Sequence, residues 1–224
     1  MGYYIDLKSI SIDKYKEILQ TTELIPSWKV LGENIDNNLN IIKNQHIENL
    51  DELLAALKDK DKIQEFSKQS GLPADYLEVL KRVVNGYKQK PNQIKDFTCI
   101  PEVVSNKLDK LGIKNTLKLY DEILTHQKRT EFSQKTGISE DETIRLTKLT
   151  DLSRIRWVNH TFAYVLLESG FDTAEKVANA DYKKLYETIT KLNEERKIYN
   201  AHIGERDIKM VVESAQSLDF EIEY

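Results

Sequence analysis

Apolar residues recur along this chain at helical spacing. Leu31, Ile35, Leu39 and Ile42 step by 4, 4 and 3 residues after Pro26, and Ile208, Val211, Val212 and Ala215 repeat the pattern after Gly204. Such a period turns one side of a helix towards a core and the other towards water. Only the two ends depart from it. Tyr3-Tyr4-Ile5-Asp6-Leu7 and Phe220-Glu221-Ile222-Glu223-Tyr224 are short, rich in β-formers and partly alternating. The pattern predicts an all-α chain whose two ends pair as a small two-stranded ribbon, because a lone strand leaves its backbone groups unmatched. In that ribbon Ile5 and Ile222 face the helices, and Asp6 and Glu223 face water.

The chain also repeats itself. Residues 61–80 align without gaps on 127–146 at a shift of 66, with 7 of 20 positions identical, among them Phe66/Phe132, Ser67/Ser133 and Gly71/Gly137. The same shift places Ile47-Glu48-Asn49 on Ile113-Lys114-Asn115, and a further shift of 58 carries Gly112-Ile113-Lys114-Asn115 onto Gly170-Phe171-Asp172-Thr173. One shift shared by two separate blocks is the mark of tandem copies. Each recurring position has a physical task. Gly112 and Gly170 suit the left-handed residue that ends a helix, with His46 in that place in the first copy. Asn49, Asn115 and Thr173 suit the N-cap of the helix that follows. We read residues 1–90 as an N-terminal extension and a first repeat, 91–154 as a second, and 155–224 as a third with a tail. The stretch 86–92, with Gly86 and Pro91, is the most linker-like of the chain.

Composition narrows the classes. Of 224 residues, 40% are hydrophobic, enough for a core, while 8 glycines and 4 prolines favour helices. A net charge of −4 argues against a uniformly basic nucleic-acid binder. The single cysteine, Cys99, forms no internal disulfide and fits a reducing compartment. No apolar run is long enough to span a membrane, and the first residues lack the order of a signal peptide, so a cytoplasmic location is expected.

Residues 152–173 resemble a helix-hairpin-helix motif, in which an apolar-x-Gly-apolar-Gly hairpin is followed by Ala and later by Gly-apolar-x-Thr. Ile155, Val158, Ala163, Gly170, Phe171 and Thr173 match it. Trp157 and Asn159 stand where the hairpin glycines belong, and Cys99 and Pro101 replace them in the second repeat. The whole chain, from residues 3–7 through 24–31 and 94–97 to 221–224, resembles an uncharacterised prokaryotic family, a domain of unknown function related to helix-hairpin-helix proteins. That resemblance implies three tandem helix-hairpin-helix-like units and no assigned activity. Such hairpins hold a nucleic-acid backbone by aiming N–H groups at phosphate. Pro101 has no N–H to aim, and Trp157 adds bulk where the backbone should be bare.

Two segments of the chain are basic. Residues 81–95 hold Lys81, Arg82, Lys88, Lys90 and Lys95 without an acid, and residues 145–160 hold Arg145, Lys148, Arg154 and Arg156 against Asp151 alone. They read either as phosphate-facing strips or as solvated, cationic helix ends that complement the dipole; the negative net charge favours the second. Trp157 with Arg156 and His160 reads either as a stacking platform or as packing beneath the next helix, and Asn159 shares that hairpin. The four histidines lack metal-ligand spacing. No metal, small-molecule cofactor or catalytic constellation is expected. The sequence points to a non-enzymatic helical repeat protein that binds a macromolecule, first as a protein-interaction adaptor. The alternative is weak, non-specific nucleic-acid binding through Lys81, Arg82, Lys88, Lys90, Arg154, Arg156, Trp157, Asn159 and His160.

Overall fold

The computed structural model describes residues 2–224. Among them are thirteen α-helices, three short 3-10 helices and no strand. The chain divides into two compact units, one of residues 6–88 and one of residues 2–5 with 89–224. Residues 91–154 and 155–224 thus lie in one unit.

The N-terminal unit carries α1 (Ile12–Thr21), α2 (Ile35–Asn44), α3 (Leu50–Ala56), α4 (Lys60–Ser70) and α5 (Ala74–Asn85). The apolar face read at Leu31–Ile42 is divided between two elements. Leu31 closes a 3-10 helix over Pro26–Gly32, the backbone turns left-handed at Asn34 (φ 50°), and Leu39 and Ile42 are buried from α2. The C-terminal unit carries α6 (Glu102–Lys110), α7 (Thr116–Tyr120), α8 (His126–Thr136), α9 (Glu140–Leu152), α10 (His160–Glu168), α11 (Ala174–Ala178), α12 (Tyr182–Arg196) and α13 (Glu205–Ala215). One apolar core runs through it, with Leu108, Leu119, Leu149, Ile155, Val158, Leu166, Ile189 and Ile208 fully buried. Packing of α13 on α11 and α12 closes its far end.

Residues that recur in sequence recur in local structure. Helices α4 and α8 have 11 residues each and start 66 apart. Both stop at a left-handed glycine, Gly71 (φ 76°) and Gly137 (φ 63°). Past each stop the chain is fastened identically. Ser67 Oγ donates to the Leu72 carbonyl and Ser133 Oγ to that of Ile138, both at 2.6 Å. Ser70 and Thr136 each donate to the carbonyl four residues earlier at 2.7 Å, and Phe66 and Phe132 are buried in matching places. At the shift of 58, α6 and α10 have 9 residues each, and α7 and α11 have 5 each. The expected caps are present: Asn49, Asn115 and Thr173 accept from Glu52, Lys118 and Lys176 N–H at 3.0, 3.0 and 3.1 Å. The three residues that precede them by three, His46, Gly112 and Gly170, all have positive φ, at 61°, 77° and 86°. The entry to the capped helix is also held alike. Leu50 N–H donates to Ile10 O and Thr116 N–H to Asn92 O, at 3.1 and 3.0 Å. At the entry to α11 the acceptor is a side chain instead, Asp151 Oδ2, 2.8 Å from Ala174 N.

The two ends form no ribbon. Tyr3 and Ile222 are both buried, but they join Tyr120 in an aromatic-aliphatic cluster with no strand between them. Glu223 N–H bonds to the Leu124 carbonyl at 2.9 Å, so the tail pairs with the turn after α7. The β-formers of the ends serve by their rings and branches, not by backbone pairing. Ile5 packs on the core, while Asp6 and Glu223 are exposed.

Candidate functional site

The third hairpin, residues 153–159, follows the last turn of α9 and leads into α10. Ile155 and Val158 point into the core, fully buried, and fix the loop from beneath. Between them Trp157 sits left-handed (φ 69°), a backbone shape usually left to glycine. The loop closes on itself through Val158 N–H to Ile155 O at 3.1 Å, and the second hairpin closes in the same way through Ile100 N–H to Phe97 O at 3.1 Å.

The hairpin N–H groups are spent inside the chain. Arg154 and Ile155 N–H donate to Asp151 O and Leu152 O at 3.1 and 3.2 Å. Arg156 N–H donates to Ser214 Oγ at 3.1 Å, and Trp157 N–H to Gln89 Oε1 at 3.2 Å. Asn159 Oδ1 then caps α10 through Phe162 N–H at 2.9 Å. Gln89 and Asn92 brace the loop further, both donating to the Val158 carbonyl, at 3.4 and 3.1 Å. From residue 154 to 158 every backbone donor has an acceptor. In the second hairpin Pro101 contributes no N–H at all.

The candidate cations are placed very differently from one another. Arg154 is not a surface residue: it is 3% exposed and is the tie between the two ends of the chain. Its Nε donates to Tyr3 O at 3.2 Å, its Nη2 to Asp219 O at 2.7 Å and its Nη1 to Asp151 Oδ1 at 3.1 Å, and the guanidinium lies 4.9 Å from the centre of the Tyr120 ring. Burial raises the Tyr3 and Tyr120 hydroxyls well above the ordinary phenol range, so both stay neutral beside it. Arg156 is also largely buried, at 8%, its guanidinium stacked 4.4 Å from the Trp157 ring. Trp157 itself is 41% exposed. His160 opens α10 with its ring edge-on to Phe97, the centroids 6.4 Å apart. In the N-terminal unit Lys81 Nζ donates to Lys58 O at 2.7 Å, Arg82 reaches Ser27 O at 3.5 Å, and Lys88 pairs with Asp51 at 3.5 Å. Lys90 is exposed, in the C-terminal unit. The basic segment 81–95 is thereby divided between the units, and the segment 145–160 loses Arg154 to the interior.

In sequence Asp151 reads only as the lone acid of a basic segment; in the fold it is the buried acceptor that gathers Arg154, Ala174 N–H and the Tyr224 hydroxyl (3.0 Å). Sequence reasoning passed over Gln89, Asn92 and Ser214, whose signal exists only in three dimensions. Cys99 is half-buried, and burial pushes its thiol up, away from the thiolate that a nucleophile needs. Among the described residues no cluster of His, Cys, Asp and Glu could hold a metal ion, and no helix is long and apolar enough to cross a membrane.

This is an all-helical protein whose best-built surface feature is a rigid loop bearing a tryptophan on an arginine. A family model described as a domain of unknown function (DUF4332) matches residues 98–218, more than half of the chain, and the chain belongs to that family. No curated protein and no solved structure matches it.

Proposed function

We propose that the chain is a tandem array of three helix-hairpin-helix-like repeats that acts without catalysis, as an adaptor binding another protein. The observation that carries this reading is the fate of the hairpin donors. A phosphate-gripping hairpin needs N–H groups directed outwards, whereas residues 154–158 donate to Asp151, Leu152, Ser214, Gln89 and Ile155. In their place the loop presents Trp157 backed by Arg156, the two residue types most enriched where protein interfaces carry their energy. The loop is already held rigid, so little ordering cost falls on association. Helical caps, aromatic packing and the recurring spans of α4/α8, α6/α10 and α7/α11 support the repeat itself.

The test is quantitative capture with the full chain as bait, beside Trp157→Ala. Proteins retained by the wild type and lost with the variant, with nuclease treatment making no difference, support the adaptor. Captures that are equal for both baits, or that vanish with nuclease, contradict it. The second outcome would favour the exposed Lys88, Lys90 and Lys95 as phosphate contacts.

A further inference from the structure

The repeat exposes a departure in the packing of α8 on α9. In the N-terminal unit the equivalent pair, α4 and α5, places Ile63 and Leu77 in the interior, 3% and 0% exposed. A shift of 66 puts Arg129 and Thr143 at those positions. Where one unit has an apolar seam, the other has a guanidinium and a hydroxyl, and beside them lies a cleft of about 290 Å³. Arg129, Thr143, Ile144, Thr147, Lys148 and Tyr224 line it.

Arg129 is the telling group. It is 8% exposed, a charged side chain almost wholly covered by its neighbours. A guanidinium carries five N–H donors. One, from Nη1, reaches the Ile123 carbonyl at 3.0 Å. No carboxylate of the described residues forms an ion pair with it, and its remaining donors are not sealed from solvent. Glu140, in the lining, forms no ion pair with it. Lys148 is held by Asp172 on its far side. The cleft's other lining is chiefly apolar, from exposed Ile144 and from the ring of Tyr224, whose hydroxyl is turned away to Asp151. A largely covered guanidinium without a carboxylate partner, at the end of an apolar slot, is complementary to an oxyanion on an apolar body, the forked donors meeting two oxygens at once.

We propose that this cleft is a binding site for a small organic anion, with Arg129 holding its carboxylate or phosphate group and Ile144 and Tyr224 covering its apolar part. The site shares no residue with the third hairpin, so its failure would leave the adaptor reading standing.

The experiment titrates the full chain with benzoate, phenyl phosphate and, as the neutral counterpart, benzyl alcohol, and follows the Arg129 side-chain resonances and the binding heat. One of the two anions should saturate and shift the Arg129 Nε–H signal, and which one does so distinguishes the carboxylate source from the phosphate source. Benzyl alcohol should bind at least about tenfold more weakly than the preferred anion. Arg129→Met should abolish the difference. Ile144→Glu, at an exposed helical position that leaves the fold intact, should weaken the anion by a similar factor through repulsion and lost apolar cover. Failure of both anions to saturate, equal binding of benzyl alcohol, or undiminished anion binding by Ile144→Glu and Arg129→Met would overturn the proposal.

Discussion

Replacing Arg154 by methionine should unfasten both ends of the chain at once. The shorter methionine keeps an apolar stem but removes the charge, the hydrogen bonds to Tyr3, Asp151 and Asp219 at 2.7–3.2 Å and the contact with the Tyr120 ring. It also strands Asp151, a carboxylate 3% exposed. Breaking a buried ion pair from one side costs about 3–5 kcal/mol, most of it from the charge left behind. Asp151 retains Ala174 N–H and the Tyr224 hydroxyl, which places the expected loss near about 3 kcal/mol. Urea unfolding of the wild type and variant measures it. Amide exchange locates it: residues 3–5 and 219–224 should exchange with the core in the wild type and well before it in Arg154→Met. Adding Asp151→Asn to the variant should recover a large part of the loss, since the stranded charge is then gone. A loss below about 1 kcal/mol, or unchanged exchange at the two ends, would refute the tie through Arg154.

Two further outcomes follow from the backbone and from burial. His46→Gly should raise stability by up to about 1 kcal/mol by relieving a left-handed histidine, and Gly112→Ala should lower it by a similar amount. Nothing lies within 4 Å of a Cβ added at Gly112, so the cost there is conformational alone, and thermal midpoints of the two variants should move in opposite directions. Burial raises Tyr76 from 10.0 to about 12, which favours its neutral form in the folded state. Its contribution is whole below pH 10 and is lost as pH climbs towards 12, where the unfolded phenol ionises and the folded one does not. Tyr76→Phe should therefore flatten the alkaline decline of stability by about 2 kcal/mol over that window, read from denaturant midpoints; parallel declines would contradict the burial of this hydroxyl.

The recurring caps and stops were legible in the sequence because they are local. A side chain three residues from an N–H, or a glycine at a forced φ, acts within one turn. Phe66 and Phe132 could be paired by their common shift for the same reason. Arg154 was not legible. An arginine in a basic stretch reads as solvated, and its partners come from residues 2, 3, 120, 151 and 219, far apart along the chain. The ends misled because tyrosine and isoleucine favour strands and aromatic clusters alike, and Tyr120, which decides the matter, lies in neither end. Arg129 was not legible because an arginine on a polar helix reads as solvated, although the shift of 66 sets it at the place of Ile63. The candidate hairpin was legible as a site of departure from its motif. That its donors are spent on Gln89 and Ser214 was not, since those residues arrive from 68 and 58 positions away.

The reading proposed above is that the loop at residues 153–159 has no backbone donor left for phosphate. A titration of the full chain with duplex and single-stranded DNA and RNA, at 50 and 200 mM salt as representative concentrations of about that order, tests it most directly. The account predicts weak binding at most, with no appreciable change between the two salts. A linear fall of log K with log salt, with a slope of about one for each phosphate contact and reduced in Lys88→Glu/Lys90→Glu, would contradict it.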